Sequence, residues 1–134
     1  MRIARELYDQ IVAHARAEAP NECCGVVATN GEGGAQHVFP ATNKFASPLR
    51  FEIDEPDLIR IWRAIDERDL ELGAIYHSHT RTAPEPSQTD INGAAQWPGA
   101  LWIIVGLATD GEAPDVRTWA IEDGRVTQVE LTVE

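Results

Sequence analysis

A chain of 134 residues, 43% hydrophobic and 25% charged, has the size and balance of one globular domain and excludes a disordered or fibrous one. Its formal net charge of -11, without a Lys/Arg cluster, argues against a nucleic-acid partner. No apolar run approaches the roughly 18 residues of a membrane span, so no membrane contact is expected.

Met1 to Gln10 carries Arg2, Arg5, Glu6 and Asp9 and lacks the apolar core and cleavage site of a signal peptide, so a cytoplasmic location is expected. Leu7, Ile11, Val12 and Ala15 recur at helical spacing and predict a helix over about Arg5 to Glu18, ended by Pro20. Cys23 and Cys24 are adjacent, which makes a structural disulfide between them improbable and fits a reducing compartment. Cys23 to Thr29 and Gln36 to Phe39 predict a hairpin across the Asn30-Gly31 turn. Ala41 to Leu49 is polar, contains Pro48 and reads as a loop, and Arg50 to Ile53 reads as a short strand.

Asp54 or Glu55 opens a second helix, with Pro56 in its first turn and Leu58, Ile61, Trp62 and Ile65 as its apolar stripe. Leu72 to His79 reads as a strand and Thr80 to Pro86 as a loop with two prolines. Ser87 opens a shorter helix reaching about Gln96. Leu101 to Ala108 is almost uninterruptedly apolar and predicts a central buried strand. Val116 to Ile121 and Val126 to Val133 predict a terminal hairpin across Asp123-Gly124. The expected fold class is α+β, a mixed sheet with helices layered on it, and the four Trp residues support a packed interior.

Chemistry concentrates at Glu22, His77, His79, Ser87 and Asp90. Residues i and i+2 of a strand share a face, so His77 and His79 aim two imidazoles the same way, as a pair of zinc ligands would. A catalytic zinc takes three protein ligands and keeps one place for water. Asp90 is placed to be the third, because Ser87-Gln88-Thr89-Asp90 resembles a helix start with Ser87 as N-cap. Taken singly, each feature has a plainer explanation. A His-x-His pair is often two polar residues at a strand end, Ser87 with Asp90 is more often a capping motif, and a glutamate after Pro20-Asn21 is usually a solvated turn residue. Their conjunction changes the balance.

The pattern Glu … His-x-His-x7-Ser-x2-Asp resembles that of the JAMM/MPN+ metallopeptidases, filled here by Glu22, His77, His79, Ser87 and Asp90. The flanks Asn21-Glu22-Cys23-Cys24-Gly25-Val26-Val27 and Ala74-Ile75-Tyr76-His77-Ser78-His79 are similar to the family's glutamate and histidine strands. Many members follow the second histidine with Pro, whereas this chain has Thr80 and looks most like a bacterial Tyr-His-Ser-His-Thr subgroup. The described member of that subgroup releases cysteine from the C-terminal glycine of a ubiquitin-like sulfur carrier protein.

The resemblance implies one JAMM/MPN+ metallopeptidase domain over residues 1–134, with the deaminase-like layered fold. It implies one zinc ion on His77, His79 and Asp90, with Glu22 as general base and Ser87 as oxyanion donor. The implied substrate is a small ubiquitin-like sulfur carrier with a Gly-Gly C-terminus, its tail adding a strand along Asn43 to Ile53 near Lys44 and Arg50. The alternatives are an isopeptidase that removes ubiquitin-like modifiers from proteins and a non-catalytic MPN scaffold. A zinc deaminase would need a Cys-x-x-Cys, which this chain lacks. Ser78 is expected to point away from the histidines, and His14 and His37 to be ordinary histidines remote from the motif.

Overall fold

The computed structural model describes residues 1–108 and 113–134. In chain order the elements are β1 (Arg2–Ile3), α1 (Arg5–Glu18), β2 (Cys24–Thr29), β3 (Ala35–Ala41), α2 (Glu55–Glu67), β4 (Glu71–His79), α3 (Gln88–Ala94), β5 (Leu101–Gly106), β6 (Asp115–Glu122), β7 (Arg125–Val129) and β8 (Thr132–Val133). The main sheet runs β3-β2-β4-β5-β6-β7. Its one parallel pair is β4 with β5, and the helix α3 lies in the crossover between them. The mixed sheet flanked by helices is the expected fold class.

The pleat sorts side chains to two cores. Val27, Ala74, Tyr76, Ile103 and Val105 face α1 and pack on Ile11 and Ala15. Val26, Ile75 and Trp102 face the other way and pack on Ile61 and Ile65 of α2 and Ala94 of α3. Each fully buried Ile contributes roughly 1.5–3 kcal/mol of apolar transfer. Gly25 has a steric reason: a Cβ there would collide with the ring of Tyr76.

Three expectations need correction. Trp62 is 44% exposed, because the stripe of α2 that meets the sheet is narrower than the sequence suggests and is filled by Ile61 and Ile65. Arg50 to Ile53 is not a strand of its own. Asn43 bridges Ile53 and the Lys44 N–H donates to the Glu52 carbonyl at 2.8 Å, so residues 43–53 fold on themselves as a tight hairpin. The last arm breaks after Val129, and β8 leaves the main sheet to pair in parallel with β1. There the Met1 ammonium reaches the Glu130 carbonyl at 3.0 Å, and the Arg5 N–H reaches the Glu134 carbonyl at 2.9 Å.

Among the described residues no helix is long and apolar enough to cross a membrane. Cys23 and Cys24 are both free and buried, one on each face of the sheet. Burial pushes the Cys23 thiol up to about 12, which makes it inert at neutral pH.

Candidate metal centre

His77 and His79 close β4, on the face shared with Ile75. The next strand residues face α1: Ser78 is buried there and accepts a hydrogen bond from the Cys23 N–H at 2.9 Å, pointing away from the histidines as expected. From His79 the chain turns through 80–86 and returns over the strand ends. Trp119 Nε1–H donates to the Pro84 carbonyl at 2.9 Å, and Arg117 pairs with Glu85 at 3.1 Å. Pro84 sits on Gly106, where a Cβ would come within 2.8 Å of its ring.

That return delivers α3 with its first turn against the histidines. Ser87 is the N-cap, and its Oγ accepts from the Asp90 N–H at 3.1 Å. Asp90 Oδ2 accepts from the Ser87 N–H at 3.0 Å, completing a capping box. The same Oδ2 lies 3.1 Å from His77 Nε2 and 3.0 Å from His79 Nε2. One potential ligand atom from each of His77, His79 and Asp90 falls within 4.8 Å of the others.

The protonation chemistry favours a cation among these atoms. A carbonyl only accepts, so the 2.9 Å bond from His79 Nδ1 to the Ala83 carbonyl places a proton on Nδ1. In the neutral ring Nε2 then offers a lone pair towards the Asp90 carboxylate, an arrangement that requires a proton or a metal between them. His77 is fully buried, and neither of its ring nitrogens has a hydrogen-bond partner among the described residues. Its Nε2 approaches Asp90 closely without hydrogen-bond geometry, as two ligands of one ion would. Two imidazoles and a carboxylate are a donor set that suits zinc.

Burial lowers the His77 pKa, and Asp90 only partly opposes it. His79 is also disfavoured by burial, but Asp90 and the Ala83 carbonyl outweigh that and raise it. Burial alone would raise Asp90, yet the two imidazoles and the Ser87 N–H hold it well below the usual carboxylate range.

Glu22 is 4% exposed, its Oε1 has no partner among the described residues, and it is near enough to His79 and Asp90 to feel both charges. Burial pushes its carboxyl up to about 8, with His79 pulling the other way. This has a measurable consequence in metal-free protein. Below the ordinary value of 4.5 both folded and unfolded states carry the proton. Between 4.5 and about 8 the unfolded chain releases it first, so stability falls as pH rises through that window. At neutral pH the loss is on the order of 2–3 kcal/mol. Metal-free Glu22→Gln should therefore gain on the wild type as pH rises from about 5 to about 7. Urea denaturation of both proteins checks this, and an unchanged gap would contradict the burial argument.

Contacts that no spacing in the sequence signals complete the surroundings. Phe51 stacks on His77 with centroids 4.5 Å apart, and Trp102 meets His77 edge-on at 6.4 Å. A cavity of about 340 Å³ opens beside Asp90, lined by Phe51, Ile53, Leu58, Trp97 and Trp102. The cations expected to serve a substrate strand are engaged: Lys44 pairs with Glu52 at 3.3 Å and Arg50 lies over the Phe45 ring at 3.9 Å. His14 Nδ1 and the Tyr76 hydroxyl are 2.7 Å apart on the α1 face, and His37 packs on Phe39.

The family model described as prokaryotic homologs of the JAB domain matches residues 4–122. The CysO-cysteine peptidase of Mycobacterium tuberculosis is 36% identical over 132 residues, covering 98% of this chain and 89% of that protein. A desampylase of Haloferax volcanii is 35% identical over 128 residues, covering 90% and 85% respectively. The crystal structure of a JAB1/MPN domain protein from Archaeoglobus fulgidus superposes with a TM-score of 0.63 at 19% identity, over 99% of this chain and 98% of that one, and shares the fold. On the family match and these near full-length relatives, the chain belongs to the prokaryotic branch of the JAB-domain (JAMM/MPN) family.

Proposed function

We propose that the chain is a single zinc metallopeptidase domain over residues 1–134 that hydrolyses the bond after the C-terminal glycine of a ubiquitin-like sulfur carrier protein, releasing an amino acid such as cysteine. The observation that carries this reading is the convergence of two imidazole Nε2 atoms on one buried carboxylate oxygen, with the Glu22 carboxyl, whose Oε1 is buried without a partner among the described residues, close enough to feel their charges. Zinc on His77, His79 and Asp90 would polarise the scissile carbonyl and acidify the attacking water.

The protein's own residues do the rest. Positive charge among His77, His79 and Asp90 counters the burial that holds Glu22 protonated, so its carboxylate is ready to take a proton from water. Glu22 then returns that proton to the departing amine. Ser87 Oγ accepts from the Asp90 N–H, which leaves its own hydroxyl proton free for the oxygen of the scissile carbonyl. The ligands are at most 7% exposed, so the scissile residue has to approach with little side chain, which favours glycine.

The name of the M. tuberculosis relative supports the release of cysteine from a carrier. The desampylase likeness supports a second reading, an isopeptidase acting on protein conjugates of ubiquitin-like modifiers. Mass spectrometry of carrier–cysteine and carrier–protein conjugates incubated with the protein separates them. The first reading expects free carrier and cysteine, lost on chelation, with protein conjugates cut more slowly. Faster cutting of protein conjugates overturns it in favour of the second.

Ser87 separates capping from catalysis. Ser87→Ala should cost about 1 kcal/mol of stability and roughly a hundredfold in rate. Ser87→Asp should recover the cap but stay slow, because an ionised carboxylate has no proton to donate. Melting temperature and turnover, measured together, decide it: a rate that simply tracks stability leaves Ser87 as a cap alone.

A further inference from the structure

The pairing of β2 with β4 begins at Cys24 opposite His77, so Glu22 lies beyond the ladder. Both of its backbone groups are nevertheless bonded, and both to the 43–52 hairpin. The Glu22 N–H donates to the Ser47 carbonyl at 2.9 Å, and the Glu22 carbonyl accepts from Asn43 Nδ2 at 3.1 Å. Asn43 uses its whole side-chain amide. Nδ2 also donates to the Arg50 carbonyl at 3.0 Å, while Oδ1 accepts from the Phe45 N–H at 3.1 Å and the Glu52 N–H at 3.3 Å. One primary amide has two donor protons and one oxygen with two lone pairs, and all four are engaged.

We infer that Asn43 is a positioning residue for Glu22: its amide fixes the hairpin with three bonds and ties the backbone of Glu22 to that hairpin with the fourth. The sheet supplies no equivalent hold, because the nearest fixed point on β4 is the Ser78 Oγ bond to the Cys23 N–H. Asn43 bonds to none of His77, His79 and Asp90, but the hairpin it fixes meets one of them through Phe51 stacked on His77, so zinc content is measured beside turnover to separate loss of metal from loss of Glu22 placement. The inference rests on the proposed role of Glu22 as the base.

The test uses Asn43→Asp, which keeps an acceptor for Phe45 and Glu52 but sets an oxygen against the Glu22 and Arg50 carbonyls, and Asn43→Ala, which carries the same measurements should the first not fold. In the zinc-loaded protein kcat for a carrier conjugate should fall about tenfold or more, with KM within about twofold and zinc content unchanged. In a Glu22→Gln background, followed by long-incubation mass spectrometry, the same change should cost less than about twofold, since a residue acting through Glu22 has nothing left to act on. A merely structural residue would cost the same factor in both backgrounds, and that result overturns the inference. Amide hydrogen exchange gives a readout independent of activity. Exchange at Glu22 should quicken while Ile75 and Ile103 keep their protection. An unchanged Glu22 amide, or an equal loss of protection throughout the sheet, also overturns it. Should the wild type cleave no conjugate, the proposed function fails, and the exchange measurement still decides whether Asn43 holds Glu22.

Discussion

Replacing His77 or Asp90 with Ala should leave roughly a tenth or less of the zinc bound and abolish turnover, since losing a ligand must exceed the 10–100-fold loss that follows removal of a group merely supporting one. Elemental analysis after dialysis measures the first effect directly. Asp90 needs care, because its Oδ2 also closes the capping box with the Ser87 N–H. Asp90→Ala removes both functions and should lose about 1 kcal/mol of stability along with the metal. Asp90→Asn keeps an oxygen that can accept from the Ser87 N–H but loses the charge that balances a dication. It should melt close to the wild type and still bind zinc poorly. Full zinc retention in both His77→Ala and Asp90→Ala would overturn the ligand assignment.

Glu22→Ala should show the opposite pattern: zinc retained and turnover reduced by a hundredfold or more, in the range found for acid–base groups. The geometry sets this contrast. The three proposed ligand atoms cluster without Glu22, whose Oε1 is buried and has no partner among the described residues. Its backbone is held by Asn43 and Ser47 and does not depend on the carboxyl, so the fold should survive its loss. Departure of zinc with the carboxylate, or unchanged turnover, would mean that the role is wrong.

The parts legible in the sequence were those written in local chemistry. Pro20 stops α1 at Glu18 because it cannot continue the helix, and the 3.6-residue spacing of Leu7, Ile11 and Ala15 marks the face it buries. Ser87 and Asp90 declare the start of α3 through a capping box that needs only four residues. The meeting of His77, His79 and Asp90 follows from a strand's two-residue period and a loop just long enough to bring the next helix back. What escaped is non-local. β1 and β8 are two residues each, too short to show any period, and exist because the chain ends meet. Trp62 sits on the helical stripe but at its margin, beside the buried Ile61 and Ile65, and stays 44% exposed. The stacking of Phe51 on His77 and the amide of Asn43 on Glu22 join residues more than 20 positions apart, through a segment that reads as a polar loop followed by a short strand and gives no sign of either contact.

Zinc titration into metal-stripped protein tests the central claim most directly, with turnover of a carrier conjugate as the readout. Activity should be absent without metal, rise in proportion to added zinc, and level off at about one equivalent per chain, as a single three-ligand site requires. Full turnover by the metal-stripped protein, or activity that ignores zinc occupancy, would contradict it.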